Sequence, residues 1–297
     1  MQSDSIVYKF YYQWWKNIDK SIFFVITVLF ILGLFFSFVS TSIIASDKLS
    51  TNSYYFFLKH LVFVTLGILI ILIFSLLDQK LLINLSIVLF FLSFITLFLV
   101  PIIGIEVKGS KRWLEIGTLP RFQPIETLKP FFVIIISLII SIDKKSLYFK
   151  YLMSMVVLLP TIILLLSQPD LGQTLLITSV WLIIIFVSGI NLILFFLSLV
   201  TVCSLTFILI FLFPKFEYIK IRLISFINAS EGNNYQADKA SDAISSGGFL
   251  GKGIGEGTLN SKIPEAHTDY IMAVIAEEFG VIIVIGIILL YLIFSYR

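Results

Sequence analysis

From Leu171 to Pro214 the chain carries no Asp, Glu, Lys, Arg or His. A single helix over that stretch would be about 66 Å long at 1.5 Å per residue, about twice the thickness of a bilayer's hydrocarbon core. The stretch must therefore fold back on itself, and Gly189-Ile190-Asn191 is the natural turn. Nothing in the rest of the chain supplies a water-facing surface to bury such segments. Charged residues make up 13% of the sequence and apolar residues 59%, where a soluble domain carries roughly 25% charged. Mean hydropathy is +1.05.

Six further apolar runs are long enough, at about 20 residues, to cross a membrane. They cover Ser21–Ala45, His60–Leu77, Leu81–Ile105, Gln123–Ile142, Tyr151–Ser167 and Tyr270–Phe294. With the two halves of the uncharged run, they predict an all-α, polytopic membrane helix bundle of about eight transmembrane helices. The whole chain, 1–297, reads as one membrane domain, with a large extracytoplasmic loop over 215–269 between spans seven and eight. A net charge of +3 is too small to point to nucleic acid. Cys203 is the sole cysteine, so no internal disulfide can form. Met1–Lys20 is polar and aromatic and does not read as a signal peptide.

Lysines set the orientation. Lys9, Lys16 and Lys20 flank the first span, and Lys144, Lys145 and Lys150 fill the loop between the fourth and fifth. The positive-inside rule places both groups in the cytoplasm. Val107–Phe122, Gln168–Gly172 and Lys215–Asp269 then face outward. The first of these loops breaks the rule, with Lys108, Lys111, Arg112 and Arg121 close together. It is either a tolerated exception or a site for an anionic group at the outer face. The long loop should contain structure of its own: an interfacial helix over Glu217–Asn228, and a second helix over Asn234–Ser245 ended by Gly247-Gly248.

Charges inside a span are costly and mark function by default. Glu126 and Lys129 are three residues apart, so they share a helix face and can neutralise each other; Pro124 suits the first turn of that helix. His267, Asp269, Glu277 and Glu278 surround the start of the last span. Glu277 lies about 12 Å along the axis from Asp269, too far for the paired carboxylates of a retaining glycosidase. Gly251, Gly253, Gly255 and Gly257 alternate as in a nucleotide loop, but no strand precedes them. A tightly turning loop is the better reading.

These residues also carry a resemblance. Lys108-Gly109-Ser110-Lys111-Arg112-Trp113, followed by Arg121-Phe122-Gln123-Pro124-Ile125-Glu126-Thr127-Leu128-Lys129, resembles the SEDS family of cell-wall polymerases. So do Gln168-Pro169-Asp170-Leu171-Gly172, Tyr235-Gln236, Gly247-Gly248 and Gly251-Lys252-Gly253-Ile254-Gly255. The strongest block is Pro264-Glu265-Ala266-His267-Thr268-Asp269-Tyr270, continuing to Glu277-Glu278-Phe279-Gly280. Ala266 and Gly255-Glu256-Gly257 look more like the division branch, FtsW, than the elongation branch, RodA. The family often has Ser where Ile125 stands. It has ten spans, so the resemblance implies two more beyond Arg297.

The resemblance implies polymerisation of lipid II into glycan strands at the outer face of the cytoplasmic membrane. Asp269 is the catalytic candidate, as general base. Lys111, Arg112, Arg121, Glu126, Lys129 and His267 are the candidate substrate-binding residues. It names no metal ligand and no cofactor, leaving a divalent cation open. It implies a class B penicillin-binding protein, a transpeptidase, as partner among other membrane proteins of the division machinery. Two other classes compete: a lipid II flippase and a non-catalytic division scaffold. A flippase should hold its cargo near the midplane, whereas the charges here gather at the outer side.

Overall fold

The computed structural model describes residues 12–41, 54–107, 110–115, 117, 120–143, 145–217, 219–221, 224, 235–259, 263 and 270–297. They belong to two compact units, Met1–Leu77 with Asn228–Arg297, and Asp78–Ile227.

The second unit contains α3 (Gln79–Ile103), a hairpin of β1 (Ile105–Val107) and β2 (Ser110–Trp113), α4 (Pro124–Ile140), α5 (Leu147–Ser167), α6 (Leu171–Val187) and α7 (Leu192–Leu212). Helix α4 forms its core. Ile125, Leu128, Phe132 and Ile136 are all fully buried, and their spacing of three and four residues puts them on one face. They pack with Leu97, Leu165, Ile177 and Trp181. Ile125 therefore fills core space, which suits an apolar residue at this position. Polar anchors bind the helices: Trp181 Nε1 donates to Ser154 Oγ at 3.0 Å. The Tyr151 hydroxyl lies 2.6 Å from Ser198 Oγ. The turn between α6 and α7 falls at the expected place, with Gly189 at φ +82° and Asn191 Oδ1 accepting from Ile193 N at 2.9 Å.

The first unit contains α1 (Lys20–Phe36) continued by a π turn (Ser37–Thr41), α2 (Tyr55–Leu76), α8 (Tyr235–Gly247), α9 (Ile271–Phe279) and α10 (Val281–Tyr296). Asp19 caps α1, its Oδ1 accepting from Ser21 N at 2.9 Å and Ile22 N at 3.1 Å. Its Oδ2 lies 4.0 Å from Arg297 Nη1, so the start of α1 meets the end of α10. Trp14 Nε1 donates to Ser75 Oγ at 3.0 Å, bringing the end of α2 to that same side. Neighbouring spans thus run antiparallel, as alternate crossings require.

Among the described residues, five helices, α1, α2, α3, α5 and α7, are long and apolar enough to cross a membrane. The apolar helices α6 and α10 are shorter, and α4 has 17 residues. The chain is a multi-pass membrane protein. Boundaries shift by a few residues from the expected spans, with one larger difference. Tyr270–Phe294 is not one helix, because Gly280 at φ +82° breaks it into α9 and α10. The loop over 105–122 also holds more structure than expected: the β1–β2 hairpin, followed by a bridge between Leu114 and Phe122. The helix expected at Asn234–Ser245 is α8. The one expected at Glu217–Asn228 lies largely outside the described residues.

Candidate functional site

In the second unit the site grows from the turn between α5 and α6. Asp170 caps α6, its Oδ1 accepting from Gln173 N at 3.3 Å. Its Oδ2 accepts from Gln123 Nε2 at 3.2 Å, just ahead of α4, and lies 3.6 Å from Arg112 Nε on β2. The Arg112 guanidinium also donates to the carbonyls of Gln168 at 3.4 Å and Pro169 at 2.6 Å. A cation here meets the negative C-terminal end of α5 while Asp170 meets the positive N-terminal end of α6, the favourable sense for both dipoles. The planar donor fork of Arg112, a candidate substrate-binding residue, ties the hairpin to the α5–α6 turn.

Lys111 sits next to it on β2, exposed and in register with Glu106 on β1. It lines a cleft of about 270 Å³ with Pro101, Glu106, Ser110, Gln168 and Pro169. Arg121 is exposed and pairs with Glu115, Nε to Oε2 at 3.2 Å. Lys129 Nζ lies 2.6 Å from Glu126 Oε2, and Gln173 Nε2 donates to Glu126 Oε1 at 2.8 Å. Glu126 is half exposed, so this pair is an accessible polar feature at the head of α4. Lys111, Arg112, Arg121, Glu126 and Lys129 thus all lie on the hairpin, at the head of α4 or just before it. Asp170, Gln123 and Gln173 complete that network and were not anticipated. An Asp directly before a helix start was the available signal.

In the first unit, Gly247, Gly251 and Gly280 let the loop pack against the break in the last span. A Cβ on Gly247 would lie 2.0 Å from Ala276 O, one on Gly251 2.1 Å from Glu278 O, and one on Gly280 2.2 Å from Phe249 O. This contact lets main chain meet main chain. Lys252 N donates to Glu277 O at 2.9 Å and Gly253 N to Glu278 O at 3.0 Å; in return Val281 N donates to Gly248 O at 3.0 Å. The loop thereby caps the end of α9 and the start of α10, as interrupted backbone within a membrane protein requires.

Beneath this loop Glu277 is fully buried. Its Oε1 accepts from Lys252 Nζ at 3.0 Å, Thr258 N at 2.9 Å and Leu259 N at 3.1 Å. Its Oε2 is buried with no hydrogen-bond partner among the described residues. Asp269 and His267 lie outside the described residues. The flanking Leu259, Ile263 and Tyr270 pack on Ala240, Ala243, Ala273 and Val274. An apolar cleft of about 470 Å³ also opens among α1, α2 and α10, with Phe30, Val64 and Ile71 on its walls beside His60 and Tyr291. Among the described residues no three His, Cys, Asp or Glu side chains are grouped to hold a metal ion.

Residues 19–297 match the family described as cell cycle protein, the group of FtsW, RodA and SpoVE. The chain is 34% identical over 292 residues to the probable peptidoglycan glycosyltransferase FtsW of Trichlorobacter lovleyi, covering 94% of this chain and 74% of that one. It is 28% identical over 277 residues to the protein of the same name from Caulobacter vibrioides, covering 91% and 68%. Its fold is similar to a chain solved in work on how a peptidoglycan synthase complex coordinates polymerization and crosslinking. That match has a TM-score of 0.72 at 24% identity, and covers 95% of this chain and 77% of that one.

Proposed function

Because the chain belongs to the FtsW, RodA and SpoVE family of cell cycle proteins, we propose that it is a peptidoglycan glycosyltransferase that polymerises lipid II at the outer face of the cytoplasmic membrane. The observation that carries this reading is the similarity, over nearly the whole chain, to proteins named peptidoglycan glycosyltransferase FtsW. Those names also favour the division septum over elongation.

The chemistry asks for three things. The acceptor sugar's 4-hydroxyl must lose a proton as it attacks the donor's anomeric carbon, which calls for a general base; Asp269 takes that role, with His267 two positions before it in sequence. The bond to undecaprenyl pyrophosphate breaks, and the departing charge calls for fixed cations. Among the candidate cations, Lys111 is exposed on the hairpin and lines a polar cleft, and Arg112 binds Asp170 and two carbonyls. Arg121 and the Glu126–Lys129 pair add polar contacts at the head of α4. Finally, the prenyl tail calls for an apolar groove, and the cleft among α1, α2 and α10 has that character.

The partner is a class B penicillin-binding protein, which crosslinks the strands. The test is to express the protein from its intact gene, purify it with and without that transpeptidase, and supply labelled lipid II. Long glycan strands are the expected product. Transfer of lipid II across vesicle membranes with no polymer would replace this reading with a flippase.

A further inference from the structure

We infer that Glu277 is a positioning residue for the turnover assigned to Asp269: through one carboxylate oxygen it fixes the strap 252–259, which precedes Asp269 in the chain. The inference rests on the reading of Asp269 as general base. Glu277 binds the strap at both ends. Its main-chain carbonyl accepts from Lys252 N at 2.9 Å at the start of the strap. Its Oε1 accepts from Thr258 N at 2.9 Å and Leu259 N at 3.1 Å at the end. Lys252 Nζ, at 3.0 Å from the same oxygen, supplies the balancing charge.

Three features separate this arrangement from an ordinary surface ion pair. The carboxylate is fully buried while Lys252 is about one-third exposed, so the charge is held within the fold by the strap itself. Two of its three donors are main-chain N–H groups, which fix the path of the backbone. Charge-assisted bonds of this kind are also about twice as strong as neutral ones. The middle of the strap is otherwise held only lightly: Gly253 and Gly255 sit at φ +111° and +77° and Glu256 is exposed, while Lys252 N and Gly253 N bind the carbonyls of Glu277 and Glu278 at its start.

Where the strap ends, Leu259 packs on the cluster of Ala240, Ala243, Ala273 and Val274, and so do Ile263 and Tyr270. Leu259, Ile263 and Tyr270 are thus anchored on that cluster, and Glu277 supplies the polar part of the anchor at Leu259. A base displaced by 1 Å can cost about 10²-fold in rate, so a carboxylate that never meets substrate can still set turnover.

The experiment compares Glu277→Gln, Lys252→Met and Lys252→Arg in protein expressed from its intact gene and held in lipid nanodiscs. It measures amide hydrogen exchange, lipid II turnover and partner co-purification. In Glu277→Gln, exchange at Thr258 and Leu259 should rise at least ~10-fold while α10 is unchanged. Turnover at saturating lipid II should fall about 10–100-fold, with KM and partner binding retained. Lys252→Met should move both readouts in the same direction, and Lys252→Arg should regain protection. If Glu277→Gln does not fold, Lys252→Met decides, because that side chain is partly exposed. Unchanged exchange at Thr258 and Leu259, or raised exchange with full turnover, overturns the inference. Should wild-type protein make no glycan, the glycosyltransferase reading fails and the assignment to Asp269 with it, while the exchange data still decide whether Glu277 holds the strap.

Discussion

Arg112 Nε on strand β2 lies 3.6 Å from Asp170 Oδ2 at the start of α6, and the same guanidinium reaches the carbonyl of Pro169 at 2.6 Å. A cation from the hairpin is thus spent on joining two helix ends. Asp170 is nearly buried and also caps α6. Asp170→Ala should cost about 2–3 kcal/mol, from the lost cap and the lost charged hydrogen bonds. Asp170→Asn keeps an acceptor for the cap and should cost less. Unfolding midpoints of the detergent-solubilised protein would show the ordering, and equal midpoints for both variants and wild type would remove the clamp.

Glu126 and Lys129 should couple weakly. Their contact is short, but Glu126 is half exposed, and exposed pairs contribute about 0.2–1 kcal/mol. A double-mutant cycle with Glu126→Gln and Lys129→Met should return a coupling in that range. A value of about 3–5 kcal/mol, the cost of breaking a buried pair, would mean that the head of α4 is closed off from solvent.

The glycines should differ sharply. Gly255→Ala places a Cβ in open space at φ +77° and should cost about 1–2 kcal/mol from the left-handed backbone alone. Gly251→Ala adds a Cβ 2.1 Å from Glu278 O and should abolish most of the folded protein. Equal yields of the two variants in the membrane fraction would show that the loop does not press on α9.

Asp269→Asn tests the proposed base. A carboxylate at a helix start is worth about 0.3–1 kcal/mol as a charge on the dipole, too little to abolish activity in a stable protein. Loss of a general base should slow the reaction about 10²–10⁴-fold. We expect normal insertion and partner binding with almost no glycan from lipid II. Near-normal polymerisation would take Asp269 out of the mechanism.

Orientation can be read by single-cysteine labelling. Cys203 is exposed, so the background needs Cys203→Ser. A cysteine at Asn233 should react with an impermeant reagent from outside the cell. Reaction only from the cytoplasmic side would invert the topology and move every proposed site residue away from lipid II's outer-face pool.

The sequence by itself determined the membrane character and the placement of the spans. Hydropathy is a sum over neighbouring residues, and a run such as Leu171–Pro214 has no alternative environment. The turn at Gly189–Asn191 was legible for the same reason, since length forces a break and glycine permits one. The motif residues from Lys108 to Lys129 were legible as a group, because charges near a span are rare enough to stand out. Their partners could not be read. That Arg112 would be consumed by Asp170, 58 positions further on, depends on how α4, α5 and α6 pack. The break at Gly280 was hidden as well: Tyr270–Phe294 is apolar enough for one helix, and only contact with Phe249 and Gly251 shows why a glycine stands there. Glu277 read as a charge buried in a span. Tertiary structure decided its role, because its donors, Lys252 and the amides of Thr258 and Leu259, come from a loop that sequence spacing does not place against it, and a buried carboxylate needs such donors.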